Sequence, residues 1–169
     1  SDPSANQAFT SGLEQRLVSD PVARTHRIEV VDAGTHWGTV RLTNAGLSMA
    51  RGWITQVDQS ENPSLYGRAP LTAVTYRSFL DRTASGYVAV EHGAPLDAGA
   101  KAESVLVRQG LPYLTAVWSD RFWTLYTVTD PVPVVHGVAS LLRLTDTGAV
   151  LEVTTPGRAQ VDVNWSPYL

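Results

Sequence analysis

LTAVTYRSFLDRTASGYVAVEHGAPLDAGAKAESVLVRQGLPYLTAVWSDRFWTLYTV, residues 71–128, is the stretch from which the fold can be read. Thr72 stands where a helix cap belongs, because its hydroxyl can accept from the amides of a first turn. Behind it Ala73, Tyr76, Phe79 and Leu80 recur at helical spacing and form an apolar stripe, with Gly86 as the expected stop. Tyr87-Val88-Ala89-Val90 is a short strand of the buried kind. Asp97 is placed to cap a second helix. Its Ala98, Ala102, Val105 and Leu106 fall at i, i+4, i+7 and i+8, and Gly110 closes it. Residues 113–119 and 122–128 read as a hairpin around Asp120-Arg121. Helix, strand, helix and hairpin at this spacing predict a small α/β layer.

Toward the N-terminus, Phe9, Leu13 and Leu17 recur every four residues, with Val18 adjacent, and Asp20-Pro21 ends that helix. Residues 27–31 (R-I-E-V-V) predict a strand. Thr35 can cap a short helix through His36, Trp37 and Val40 to Gly46, although Val40 and Leu42 also alternate as in a strand; helix is preferred. Residues 51–69 read as irregular chain, with Gly52, Asn62-Pro63 and Gly67 among Trp53, Ile54, Val57, Leu65 and Tyr66. An irregular segment of that length usually serves binding or is tightly packed.

Toward the C-terminus, Pro131 and Pro133 mark a join, and the pattern beyond it is purely β. Strands are expected over 138–144, 149–154 and 159–165, separated by Asp146-Thr147-Gly148 and Thr155-Pro156-Gly157. Val161, Val163 and Trp165 share one face, expected to be buried; Gln160, Asp162 and Asn164 share the other. The expected class is mixed α+β: an α/β layer (1–130) followed by an antiparallel β-sheet (134–169), packed as one soluble domain over 1–169.

Composition narrows the function. Only 17% of residues are charged, against about 25% in typical domains, so the surface must lean on uncharged polar groups. A net charge of −3, a single lysine (Lys101) and a pI near 5.7 argue against a nucleic-acid partner, which calls for a basic face. Without cysteine there is no disulfide framework and no thiolate chemistry. The apolar runs are far shorter than the roughly 20 residues that span a bilayer, and no signal-peptide pattern is present. Ser1-Asp2-Pro3-Ser4 reads as an artificial edge, which leaves a membrane-anchored parent open.

Motifs for chemistry are sparse. No G-x-S-x-G occurs, and Ser11-Gly12 and Ser85-Gly86 lack the setting of an activated serine. His26, His36, His92 and His136 are isolated, which predicts no metal centre, and His92 reads as a loop histidine. Neither a phosphate-cradling glycine loop nor an Asp-x-Asp motif is present, so no cofactor is expected. Asp32, Asp58, Glu61, Glu91 and Asp120 could pair for glycosidase chemistry or simply serve as turn residues and caps. The densest cluster of aromatic and polar groups is His36-Trp37, Arg51-Gly52-Trp53, Asp58 and Tyr66. Stacking faces beside an arginine and an acid suit a sugar ring or a phosphate. The competing reading makes both tryptophans core residues and Arg51–Asp58 a structural ion pair.

One family carries much of this pattern. The order H-W (36–37), A-R-G-W-x-x-Q-x-D (50–58), N-P-x-x-Y (62–66), L-T-A-x-x-Y-x-x-F-L (71–80) and Y-V-A-V (87–90) continues through L-P-Y-L-x-x-V-W (111–118), W-T-L-Y (123–126) and S-P-Y (166–168). It resembles the C-terminal region of large bacterial polytopic membrane proteins related to lipid-linked-sugar glycosyltransferases, some labelled "6-pyruvoyl-tetrahydropterin synthase-related". The resemblance spans about residues 26–168, and Leu169 stands where the family commonly closes on tryptophan. It implies an extracytoplasmic domain following transmembrane helices, with those helices as its partner in the same chain. It also implies lipid-linked sugars or envelope glycans as the substrate class, and no catalytic residue within this region. The alternatives are a free-standing carbohydrate-binding or sensing module and a carboxylate-dependent glycoside hydrolase.

Overall fold

Two strands in which every residue is buried, β1 (Arg27–Val31) and β2 (Ser85–Glu91), run parallel at the centre of the molecule. Burial on both faces is what parallel pairing with a crossover requires, and it explains the near-continuous apolar run of β2. The hairpin of β3 (Leu114–Ser119) and β4 (Trp123–Val128) completes a mixed sheet in the order β1-β2-β4-β3, with β4 antiparallel to β2. The computed structural model describes residues 3–52 and 55–163. Trp53 and Trp165, both singled out above, lie outside that range.

Each sheet face has its own core. On one side α1 (Ala8–Val18) and α3 (Trp37–Asn44) bring Phe9, Leu13, Leu17 and Leu42 against Ile28, Val30, Tyr87, Ala89, Trp123 and Leu125. On the other, α5 (Ala73–Arg82) and α6 (Ala98–Arg108) set Tyr76, Phe79, Leu80, Ala100 and Val107 against Val31, Val88, Val90 and Val128. The period-2 alternation of β-strands sorts the residues: 28 and 30 go one way, 29 and 31 the other. Asp20 does more than end α1, since its side chain accepts from Val22 N and caps α2 (Pro21–Thr25).

The expected mixed α+β class is what the chain adopts, with several local corrections. The helix after β1 begins at Trp37, with His36 rather than Thr35 at the cap position, in the left-handed region (φ 55°) and without a side-chain bond. The stretch expected to be irregular contains α4 (Thr55–Glu61), which carries no apolar stripe to announce it and ends before Pro63. Thr72 caps α5 through a reciprocal bond with Thr75, but the stop is Ala84 (φ 49°), and Gly86 lies inside β2. A Cβ on Gly86 would come within 2.8 Å of His26 and Val22 side chains. The largest correction concerns α6. Ala98, Ala102 and Val105 face solvent, while Gly99, Ala100, Glu103, Ser104 and Val107 are buried.

The C-terminal strands form two ribbons rather than one sheet. An unforeseen β5 (Val135–Gly137) pairs with β8 (Ala159–Val161), and β6 (Ala139–Thr145) with β7 (Gly148–Val153). They join the rest through Val134, Val135 and Leu144 packed on Ala84. The Arg27 guanidinium donates to Asp162 O (2.7 Å), and Asp146 accepts from Met49 N (2.8 Å). Val161 is half-buried, but Val163, expected to be buried, is exposed.

Candidate functional site

Strand β1 is an edge strand of the four-stranded sheet, and residues 48–50 cover only part of its free side: Ile28 N donates to Ser48 O and Ala50 N to Ile28 O. Beyond that cover, toward the C-terminal end of β1, lies a recess of about 40 Å3. Glu29, Asp32, His36, Arg51, Asp58, Tyr66 and Asp97 all line it. Four of the predicted site residues (His36, Arg51, Asp58 and Tyr66) therefore come together. Trp37, adjacent to His36, is 44% exposed, with the Arg41 guanidinium 5.8 Å from its ring centre. It is not a core plug; among the described residues the fully buried tryptophan is Trp123, which donates through its indole N–H to Phe9 O (2.8 Å).

Arg51 organises the floor of the recess. Its Nε donates to Glu29 Oε1 (2.8 Å), Nη1 to Asp58 Oδ2 (3.2 Å) and Nη2 to Glu103 Oε2 (3.1 Å), and Nη2 also meets Glu29. Asp58 is further held by Asn62 Nδ2 (2.6 Å) and the Tyr66 hydroxyl, and Glu103 by the Tyr76 hydroxyl (2.7 Å). The pairing of Arg51 with Asp58, one of the two readings open in the sequence, is real and larger than foreseen. Glu29 and Glu103 are its additional members. A charge inside R-I-E-V-V could have pointed to Glu29, because charges are rarely fully buried unless paired. Nothing in the sequence pointed to Glu103, which sits between the apolar positions of α6.

The charges of this network explain its proton affinities. Burial raises the Glu29 carboxyl well above the ordinary range; Arg51 opposes that, and the charges of Glu103 and Asp58 reinforce it. Burial also raises Glu103, against the pull of Arg51 and its bonds to Tyr76 and Glu29. Desolvation works against the charge on Arg51, but Glu29, Glu103 and Asp58 outweigh it and raise its pKa. Burial, with Asp58 adding to it, lifts the Tyr66 phenol well above normal. Four of the five N–H donors of the guanidinium are thus engaged inside the protein.

A second carboxyl pair lies on the opposite face of the sheet. Val31 pairs with Val90, so the next residues, Asp32 and Glu91, stand side by side at the ends of the parallel strands. Asp32 accepts from Ala33 N (2.7 Å), Thr39 N (2.9 Å) and Thr39 Oγ1 (3.1 Å), which ties it to the first turn of α3. Glu91 is wholly buried, and neither carboxylate oxygen meets a donor at good geometry. Burial first, then the charge and hydrogen bond of Asp32, push its pKa up to about 8, against the opposing pull of the Ala33 and Ala94 backbone amides. Of the five carboxylates considered for glycosidase chemistry, these two meet, beneath the residue 92–97 turn. Asp58 belongs to the Arg51 network, Glu61 is exposed at the end of α4, and Asp120 caps the β3–β4 turn through Phe122 N and Trp123 N (both 2.8 Å).

Among the described residues no cluster of His, Asp and Glu could hold a metal ion, and no helix is long and apolar enough to cross a membrane. Comparison with protein families, with curated proteins and with solved structures found no match. A volume of about 40 Å3 exceeds the roughly 15 Å3 needed for one water but cannot admit a sugar ring. It has room for a hydroxyl- or water-sized group.

Proposed function

We propose that this domain is a non-catalytic, extracytoplasmic accessory module of a glycosyltransferase-like membrane protein in cell-envelope glycan assembly. In this reading it touches the glycan at the mouth of the β1 recess. The observation that carries the binding part is the contrast between Trp37, exposed beside His36, and Arg51, already bonded to Glu29, Asp58 and Glu103. A guanidinium so engaged offers little to a phosphate, whereas an exposed indole one residue along from His36, which lines the acid-rich recess, suits the face of a sugar. The membrane and envelope parts rest on the family resemblance of the motifs between His36 and Tyr168.

Chemical-shift titration with envelope-type oligosaccharides tests the binding part. Amides of residues 34–39 and of Tyr66 are expected to move, and Trp37→Ala to abolish the response while leaving the melting temperature nearly unchanged. Shifts confined to other regions would refute the site. Turnover of aryl glycosides that vanishes on replacing Asp32 or Glu91 would favour the hydrolase instead. The parental reading frame upstream of residue 1 tests the membrane part, which requires several hydrophobic spans there.

A further inference from the structure

We propose that Asp32 and Glu91 share a single proton and form a latch that holds the residue 92–97 turn and the head of α6 against the end of β1. Loss of that proton releases the turn. The inference stands apart from the glycan reading, because it concerns how one wall of the recess is held rather than what the recess binds.

The geometry supports it in three ways. The pair continues the β1–β2 register, so the fold sets two carboxyl groups side by side at the ends of neighbouring strands. Asp32 already accepts from two backbone amides and a hydroxyl. Glu91, fully buried with both oxygens lacking a well-placed donor, is then the partner that keeps the proton and donates it to Asp32. The turn above is tied to the same spot: Gly34 N donates to Pro95 O (3.2 Å), Asp97 N to Asp32 O (3.3 Å), and Ala33 bridges Leu96. Asp97 and Ala100 line the recess, so movement of this turn moves its wall.

The surrounding charges leave the pair without a counter-ion. Among the described residues no ion pair involves Asp32 or Glu91. From α6, Arg108 reaches only the Glu91 carbonyl (2.9 Å). His92 in the turn approaches Thr124 Oγ1 (3.4 Å), and β4 presents apolar Trp123 opposite Glu91. From α3 the side contributes Thr39, with His36 ahead of it at the recess, and Asp97 adds only negative charge. Glu29, also on β1, points to the other face and belongs to the Arg51 network. When the shared proton passes to solvent, two buried carboxylates therefore repel with no cation beside them.

Amide hydrogen exchange against pH, corrected for the intrinsic chemical rate, tests the latch. An opening that exposes Glu91 should become more frequent by up to about tenfold per pH unit between pH 5 and pH 8, then level off. This is expected at Gly34, Thr39 and Asp97 and not at Tyr126 in the distant part of the hairpin. Glu91→Gln keeps a donor toward Asp32 but cannot ionise, so it should flatten that dependence. The same rise in Glu91→Gln as in the wild type would overturn the proposal, and so would pH-independent protection in the wild type. Should Glu91→Gln fail to fold, carboxyl-carbon NMR of the wild type decides. A Glu91 resonance titrating near pH 8 supports the latch, and one titrating in the ordinary carboxylate range overturns it.

Discussion

Removing the Arg51 guanidinium would leave Glu29, Asp58 and Glu103 facing one another without a cation. Breaking a buried pair from one side costs about 3–5 kcal/mol, because the remaining charges stay desolvated. Arg51→Ala is therefore expected to lower stability by that amount in denaturant melts, and adding Glu103→Gln should restore part of it. Arg51→Lys should not substitute well, since a compact ammonium cannot reproduce a planar fork bonded to separate carboxylates. Trp37 is the opposite case. Because Trp37 is 44% exposed, Trp37→Ala should change stability by less than about 1 kcal/mol, whereas Trp123→Ala should cost about 3–5 kcal/mol. A large loss of stability in Trp37→Ala would return that residue to the core.

Helix α6 shows how an element can be recognised while its orientation is missed. Its start at Asp97 and its length were readable, and Ala98, Ala102, Val105 and Leu106 supplied an apolar stripe of ordinary appearance. The buried stripe is nevertheless Gly99, Ala100, Glu103, Ser104 and Val107. Two features turn it that way: Glu103 bonds Arg51 and the Tyr76 hydroxyl, and Gly99 admits the Tyr66 ring, which would stand 2.9 Å from an added Cβ. Val105→Glu is thus expected to be tolerated to within about 0.5 kcal/mol, while Ala100→Glu should abolish cooperative folding. Equal tolerance of both in thermal melts would mean the helix is rotated from the position described. At α5 the sequence signal and the structure coincide, and Thr72→Ala should cost about 0.5–2 kcal/mol through loss of the reciprocal cap.

For the whole molecule, the buried carboxyls set the dependence of stability on pH. Glu91 and Glu29 have folded-state pKa values above those of the unfolded chain. Their contribution is complete below about 4.5, where both states are protonated, and declines as pH rises. For Glu91 the loss ends near pH 8, where the folded state also gives up its proton. Asp20 acts in the other direction. Although burial opposes it, Arg16, Tyr87 and two backbone amides lower its pKa, so its contribution is lost on acidification. Thermal melts from pH 3 to pH 9 should peak near pH 4–5 and fall toward pH 8, and Glu91→Gln should lessen that fall. A chain ending at Pro133 would uncover Ala84 and remove the bonds that Asp162 and Asp146 make to Arg27 and Met49. It is expected to melt at a lower temperature than the full chain.

Local information in the sequence was enough for the mixed α+β class, for β1, for the core of β2, for the β3–β4 hairpin and for helices α1, α5 and α6. Each has a period, a cap or a turn written within a dozen residues. His36, Arg51, Asp58 and Tyr66 were also legible as a group, because aromatic and charged side chains are conspicuous in a chain with so few charges. Tertiary structure decided what those groups do. Glu29 and Glu103, 74 positions apart, meet only because α6 packs on the face of β1 that carries Glu29. Asp32 and Glu91 become neighbours only because two strands pair in one parallel register. The division of the C-terminal strands into two ribbons is likewise a long-range pairing choice. Local propensity acts between residues close along the chain, whereas desolvation and charge act between residues close in space, and the recess at β1 is built from the second kind.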